Sequence, residues 1–221
     1  MTEPYYADDS VTLYHGDCLE IAEWRAADVL VTDPPYGIDS HLSSGWKGRK
    51  PAGWKRTHDK PTWDVTLDAR NAVLALWGDR PSAVFASPKR IDDPAPFREV
   101  PLVWDKGNVG MGDVDFPWGP SYELIYVSGM GWAGRREGAV IRNGSHSPQR
   151  VSEVGHPTPK PVGLMERIIA KAPPGVIADP FAGGGATLIA ARNQGRQAIG
   201  VEMEERYCEI IANRLAQGVL L

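Results

Sequence analysis

Four residues in the first sixth of the chain, Asp33-Pro34-Pro35-Tyr36, combine types that could handle an aromatic amine. They follow the apolar run Val29-Leu30-Val31-Thr32. Two prolines can neither continue a central strand nor enter a helix interior, so the chain must turn out there. A rigid proline turn with Tyr36 as a packing aromatic would by itself explain the dipeptide. Held rigid, however, the Asp33 carboxylate and a proline carbonyl offer two adjacent acceptors for both hydrogens of an exocyclic amine, and the face of Tyr36 can stack on its ring. Such acceptors would favour a tetrahedral nitrogen and aim its lone pair at an electrophilic methyl for in-line displacement. Asp33 would stabilise the positive charge that forms on nitrogen, and Tyr36 would add a cation–π contribution of about 0.5–2 kcal/mol. Neither Cys18 nor Cys208 follows a proline in a turn, which counts against the covalent route used for methylating cytosine carbon.

Four acids stand at the carboxyl ends of expected strands: Asp17, Asp33, Asp179 and Glu202. Each alone could be a helix cap or a first-turn acid. Together, in a parallel sheet, they would line one crevice outside the strand ends, where open α/β sheets bind ligands. Asp179-Pro180-Phe181-Ala182-Gly183-Gly184-Gly185-Ala186-Thr187 lies between a strand and a helix, and its glycines let a ligand approach the backbone. Glu202 follows Gly183 by nineteen residues at the end of the next strand, the position that binds ribose hydroxyls. A dinucleotide fits poorly, because its pyrophosphate would meet Asp179 and Leu188 replaces the third glycine of G-x-G-x-x-G. S-adenosylmethionine, with its sulfonium and ammonium, suits an acidic site, and it is the cofactor these residues predict.

The elements that must position these groups read as an α/β fold. Residues 11–16, 28–32, 82–87, 100–104 and 122–127, then Val176–Ala178 and Ala198–Val201, are short β-branched or aromatic runs bounded by Gly, Pro or Asp. Helices are expected over Leu67–Trp77 and Thr187–Asn193, along Leu164, Ile168 and Ala172, and along Tyr207, Ile211 and Leu215. Alternation at these lengths predicts a mostly parallel, doubly wound sheet covered on both faces. With 221 residues, 42% hydrophobic and 24% charged, the chain suits a single domain over 1–221 and not a disordered one. Two basic and aromatic stretches, 38–63 and 129–155, read as long loops of functional kind. No apolar run approaches the roughly 18 residues of a membrane span, and the first residues lack a secretory pattern, so a cytoplasmic chain is expected. Two cysteines without a C-x-x-C pattern and five scattered histidines indicate no metal site.

The tetrapeptide, His156-Pro157-Thr158-Pro159-Lys160-Pro161 before a helix, the Asp179–Thr187 loop and Glu202 together resemble a DNA amino-methyltransferase of the permuted β class. Val103-Trp104-Asp105-Lys106 and Tyr122-Glu123-Leu124-Ile125-Tyr126 extend the likeness over nearly the whole chain. The resemblance implies a Rossmann-like S-adenosylmethionine-dependent fold with a circularly permuted motif order, the catalytic half preceding the main cofactor half. It implies that Asp33, Pro34, Pro35 and Tyr36 form the catalytic motif, with Asp33 also touching the cofactor's methionine end. Asp17 and Cys18 would meet the adenine, Phe181, Gly183 and Gly185 would wrap the cofactor, Asp179 would serve its methionine part and Glu202 its ribose. His156, Thr158 and Lys160 would close over the carboxylate, and a homodimer is permitted.

The chain departs from the family in size, since no separate target-recognition domain fits between Tyr126 and His156. DNA contact therefore falls to the loops, with Lys47, Arg49, Lys50, Lys55 and Arg56 pairing phosphates and Trp46, Trp54 and Trp63 available to stack on or replace a flipped base. Single-stranded DNA would suit the same residues. The expected activity is methylation of an exocyclic base amine in DNA, adenine N6 before cytosine N4. A nicotinamide-dependent oxidoreductase is the alternative from another class, and it leaves the tetrapeptide without a role.

Overall fold

The structure is a computed structural model that describes residues 2–37, 66–88, 101–107, 117–119, 121–142 and 159–217. Among these residues nine strands form one sheet: β1 (Tyr6–Ala7), β2 (Val11–His15), β3 (Val29–Thr32), β4 (Ser82–Ala86), β5 (Leu102–Asp105), β6 (Tyr122–Ser128), β7 (Val140–Arg142), β8 (Ile177–Asp179) and β9 (Ala198–Glu202). Four α-helices and a 3-10 helix (Glu23–Ala26) accompany them among the described residues: α1 (Asp68–Trp77), α2 (Val162–Ile169), α3 (Ala186–Asn193) and α4 (Glu205–Gln217). The strand order is β1-β2-β9-β8-β3-β4-β6-β5-β7. Pairing is parallel from β2 through β9, β8 and β3 to β4, as the strand–helix alternation predicts.

β6 breaks the parallel run, pairing antiparallel with both β4 and β5. Its amino-terminal end consequently lies on the side where the parallel strands present their carboxyl ends. Glu123 is paired with Trp104 near the end of β5, and Leu124 with Ala86 at the end of β4.

The central strands are apolar on both faces because both are covered. Val29 and Val31 of β3 pack into a cluster with Leu164, Ile168, Leu188 and Ile211 from α2, α3 and α4. Leu30, between them, faces the opposite cluster with Trp24, Val73 and Trp77. Successive side chains of a strand point to opposite faces, so a continuous Val-Leu-Val run is what a doubly covered strand requires. Burying each such side chain contributes roughly 1.5–3 kcal/mol.

Leu188, which stands where a dinucleotide fingerprint has its third glycine, is accommodated by a glycine on the other side of the contact. A Cβ on Gly200 of β9 would come within 2.6 Å of Leu188 Cδ1. The close helix–strand approach is therefore kept, with its glycine moved from helix to strand.

β1 and β7 were not expected from the sequence. β1 has two residues and β7 three, too few to show a period of two, and β7 lies inside the stretch read as a loop over 129–155. Only Ile141 of β7 is buried. α2 ends at Ile169, before the expected Ala172, because Pro173 and Pro174 follow and disfavour helix in the residue ahead of them. No described helix is long and apolar enough to cross a membrane.

Candidate active site

A cleft of about 470 Å³ opens outside the carboxyl ends of the parallel strands. Its wall includes the tetrapeptide Asp33–Tyr36 after β3, Asp179 and Phe181 after β8, and Glu202 at the end of β9. One cleft thus joins the two halves of the chemistry read from the sequence.

At one end, Asp33 stands where β3 stops. The Tyr36 hydroxyl donates to Asp33 Oδ1 at 2.5 Å, and the Lys160 ammonium donates to Asp33 Oδ2. Glu123, one residue into β6, completes the group: its Oε2 lies 3.2 Å from the Tyr36 hydroxyl and 3.3 Å from Lys160 Nζ. Its Oε1 accepts from Lys106 Nζ at 2.6 Å. The Lys160 ammonium also lies 5.2 Å from the Phe85 ring centre and 5.6 Å from that of Tyr36, within cation–π range. Two carboxylates and two ammonium groups therefore balance one another in a space where Lys160 is only 6% exposed.

The electrostatics follow from that packing. Burial raises the Asp33 carboxyl above its ordinary range, against the pull of Lys160. Burial also acts on Glu123, but Lys160 and Lys106 outweigh it and hold that carboxyl low. Lys160 is likewise pushed down by burial and carried above its ordinary value by Asp33 and Glu123. Burial beside two carboxylates keeps the Tyr36 phenol far above its usual range, so it remains a donor.

At the other end Asp179 and Glu202 have no cationic partner among the described residues, while Glu204 beside them pairs with Arg206 at 2.6 Å. Asp179, buried, accepts from the Thr32 hydroxyl at 2.7 Å and from the Phe181 N–H at 3.2 Å. Glu202 accepts from the Gly183 N–H at 2.7 Å and the Glu204 N–H at 2.9 Å. Neither forms an ion pair among the described residues. Burial pushes Asp179 up to about 6 and Glu202 up to about 7. Buried carboxylates without a cationic partner suit a ligand that brings positive charge and hydroxyl donors, and they repel a pyrophosphate. S-adenosylmethionine fits these residues and a dinucleotide does not.

Several expected site residues sit elsewhere. Asp17 does not line the cleft, because its side chain accepts from the Leu19 N–H at 2.8 Å and its carbonyl from those of Glu20 and Ile21, so it serves as the cap of a turn. Gly185 does not line it either. It precedes α3 with φ +78°, and a Cβ there would come within 2.9 Å of Ile211, so its role is to seat α3 against α4. Lys160 reaches the cleft, but its ammonium is held by Asp33 and Glu123 and is not free to receive a ligand carboxylate. Cys18, Phe181 and Gly183 do line the cleft. Burial lifts the Cys18 and Cys208 thiols up to about 12, which leaves neither as a nucleophile. His156, Thr158, Lys47, Arg49, Lys50, Lys55 and Arg56 lie outside the described residues.

Glu123 and Lys106 lie in stretches that carry the family resemblance, but nothing in the sequence gives either residue a role. The available signal was a single acid inside the otherwise apolar or aromatic run Tyr122–Val127. Its partner became visible only through the reversal of β6.

The chain matches the family described as DNA methylase over residues 103–213. It is 43% identical over 226 residues to YubD, a putative methylase of Escherichia coli, across 91% of this chain and 88% of that protein. To M.ScaI, a type II methyltransferase of Streptomyces caespitosus, it is 26% identical over 259 residues, across 96% and 84% of the two chains. Among solved structures, the M1.HpyAVI–SAM complex aligns with a TM-score of 0.62 at 21% identity, over 92% of this chain and 99% of that one. The cytosine-N4-specific PvuII DNA methyltransferase aligns at 0.67 and 15% identity, over 96% and 89%. At these identities the structural likeness concerns the fold.

Proposed function

The chain belongs to the DNA methylase family of N6- and N4-amino-methyltransferases, and from that premise we propose that it methylates adenine N6 in DNA, with cytosine N4 as the second reading. It is an S-adenosylmethionine-dependent enzyme of DNA. The observation that carries the reading is that one cleft is lined both by the Asp33–Tyr36 turn and by Asp179 and Glu202, carboxylates with no ion pair among the described residues. Both bases offer an amine with two hydrogens. The acid that opens the tetrapeptide, in the light of the family resemblance, supports adenine.

The bound cofactor supplies the electrophilic methyl group. Glu202 is placed to take ribose hydroxyls, Asp179 to face the cofactor's cationic end, and Phe181 to pack beside it. Asp33 and the Pro34 carbonyl accept the two amine hydrogens, so that the nitrogen presents its lone pair to the methyl. Tyr36 offers its ring face to the base, and its hydroxyl, within reach of both Asp33 and Glu123, is anchored at the far end of that ring. As nitrogen gains charge, the ionised Asp33 carboxylate stabilises it before the surplus proton leaves.

A base inside a duplex cannot reach this cleft while stacked, so we place the target base outside the helix, where the basic residues Lys47, Arg49, Lys50, Lys55 and Arg56 would hold the phosphates. The enzyme would work in the cytoplasm as one domain over residues 1–221, and light scattering distinguishes a monomer from a homodimer. The test of the reading is incubation with unmethylated mixed-sequence DNA and labelled S-adenosylmethionine, then nucleoside digestion and mass spectrometry. N6-methyladenine is expected. N4-methylcytosine would keep the mechanism and replace the base, and no methylated nucleoside from protein that binds the cofactor would overturn the proposal.

A further inference from the structure

The two groups that occupy Asp33 share a second acceptor. Tyr36 donates to Asp33 Oδ1, and Lys160 to Asp33 Oδ2. Both also lie within reach of one atom, Glu123 Oε2, at 3.2 and 3.3 Å. The other oxygen of Glu123 is pinned by Lys106, which fixes the direction in which Oε2 points. We infer that Glu123 is a positioning residue that takes over the hydrogen bonds of Lys160 and Tyr36 when Asp33 turns to the target amine.

The inference rests on the proposed role of Asp33. In the structure the Lys160 ammonium sits on the carboxylate that must later accept an amine hydrogen and face a nitrogen gaining positive charge. While it remains there it weakens that acceptor and repels the charge that has to form. A buried ammonium cannot simply leave, because a charge removed from water needs a partner and Lys160 has little contact with solvent. Glu123 supplies that partner without requiring the lysine to move far. The titratable groups facing Lys160 are Asp33, Tyr36 and Glu123, with Lys106 behind Glu123 and Asp179 beyond Asp33. Glu123 is the one anion among those contacting Lys160 that does not also have to meet the substrate.

Glu123→Gln keeps the shape and removes the charge. Lys160 should then stay on Asp33, and release it only as the ammonium is deprotonated. With saturating cofactor and DNA, the single-turnover rate of E123Q is expected to be about 100-fold or more below native near pH 7. It should climb by as much as tenfold per pH unit between about 7.5 and 9.5, where the native rate is flat. Cofactor affinity, read by calorimetry, should stay within about tenfold of native. An E123Q protein that binds cofactor but has a native rate, or a rate reduced equally at every pH, overturns the inference.

If E123Q fails to bind cofactor and so has not folded, the comparison moves to Lys160→Met, alone and combined with E123Q. Removing both partners of a buried pair is better tolerated than removing one. Without the ammonium Glu123 has little left to relieve, so the two proteins should turn over within about threefold of each other, whereas a further loss of tenfold or more on adding E123Q sinks the idea. Asp33→Asn separates this inference from the reading beneath it. If D33N is inactive and E123Q follows the native pH profile, Glu123 lacks this role while Asp33 keeps its own. If D33N methylates at the native rate, the assignment of Asp33 fails and takes the inference with it.

Discussion

The two ends of the cleft carry similar numbers of carboxylates in opposite electrostatic states. Asp33 and Glu123 are matched by Lys160 and Lys106 in a closed network. Asp179 and Glu202 are held by hydroxyl and backbone N–H donors alone, and burial raises them to about 6 and about 7. On the proposed reading the cofactor end is an anionic cradle formed in advance, which a bound cation would complete. The amine end is complete by itself, and by the inference drawn above it would have to be opened before it could act. Affinity and turnover should therefore separate cleanly between them.

The largest effect should come from the amine end. Asp33→Ala removes the acceptor and the charge that stabilises nitrogen, and turnover is expected to fall about 100-fold or more, the loss that follows removal of a preorganised electrostatic contact. Cofactor affinity should remain within about tenfold, since Asp179 and Glu202 are untouched. Equal losses in turnover and affinity would erase the division between the two ends.

The reverse pattern is expected from Glu202→Gln. A hydrogen bond to a charged group is worth about 1.5–3 kcal/mol, so cofactor affinity should weaken roughly 10- to 100-fold. The single-turnover rate at saturating cofactor should change by less than about threefold, because this carboxylate does not touch the reacting nitrogen. Calorimetry and rapid-quench kinetics on the same preparation separate the two quantities. An affinity within twofold of native would show that Glu202 does not hold the ligand.

This division also marks what was legible in the sequence. The cofactor end is built from strand–turn–helix segments whose acids fall at the ends of neighbouring parallel strands, so local pattern suffices to put Asp179 and Glu202 on one cleft wall. Asp33 and Tyr36 were legible for the same reason, together with the prolines that force the turn. Glu123 was not, because it stands near the start of a strand that runs against its neighbours, and neither apolar content nor period records strand direction. Lys160 was assigned to the site, but its partner depends on Glu123 and was hidden with it. Asp17 is the converse case, since an acid two residues past a strand suits a turn cap as well as a ligand; its carboxylate accepts from the Leu19 N–H and its carbonyl from those of Glu20 and Ile21.

The smallest effects lie in pH, and they test the unpaired state of the cradle most directly. The folded values of Asp179 and Glu202 stand above ordinary ones of 3.8 and 4.5. For a carboxyl raised on folding, the native state binds more protons than the unfolded one between the two values. These groups therefore cost nothing only below about pH 3, and they subtract stability increasingly from there until about pH 7. Carboxyls such as Asp8 and Asp105, which are lowered on folding, work the other way and lose stability as pH falls. The melting temperature of the free protein alone mixes both signs. The increase in melting temperature on adding saturating cofactor cancels the surface groups and retains the cradle, because a cationic ligand restores what ionisation took away. That increase should grow by a few degrees between pH 5 and pH 7, as a gain of about 1–2 kcal/mol would give for a chain of this length. Calorimetry near pH 6 should show proton release on binding in buffers of different ionisation enthalpy. A cofactor-induced shift that is constant across this range, with no proton released, would mean that the cradle carboxylates are already ionised at no cost, and that the two ends of the cleft do not differ as their partners indicate.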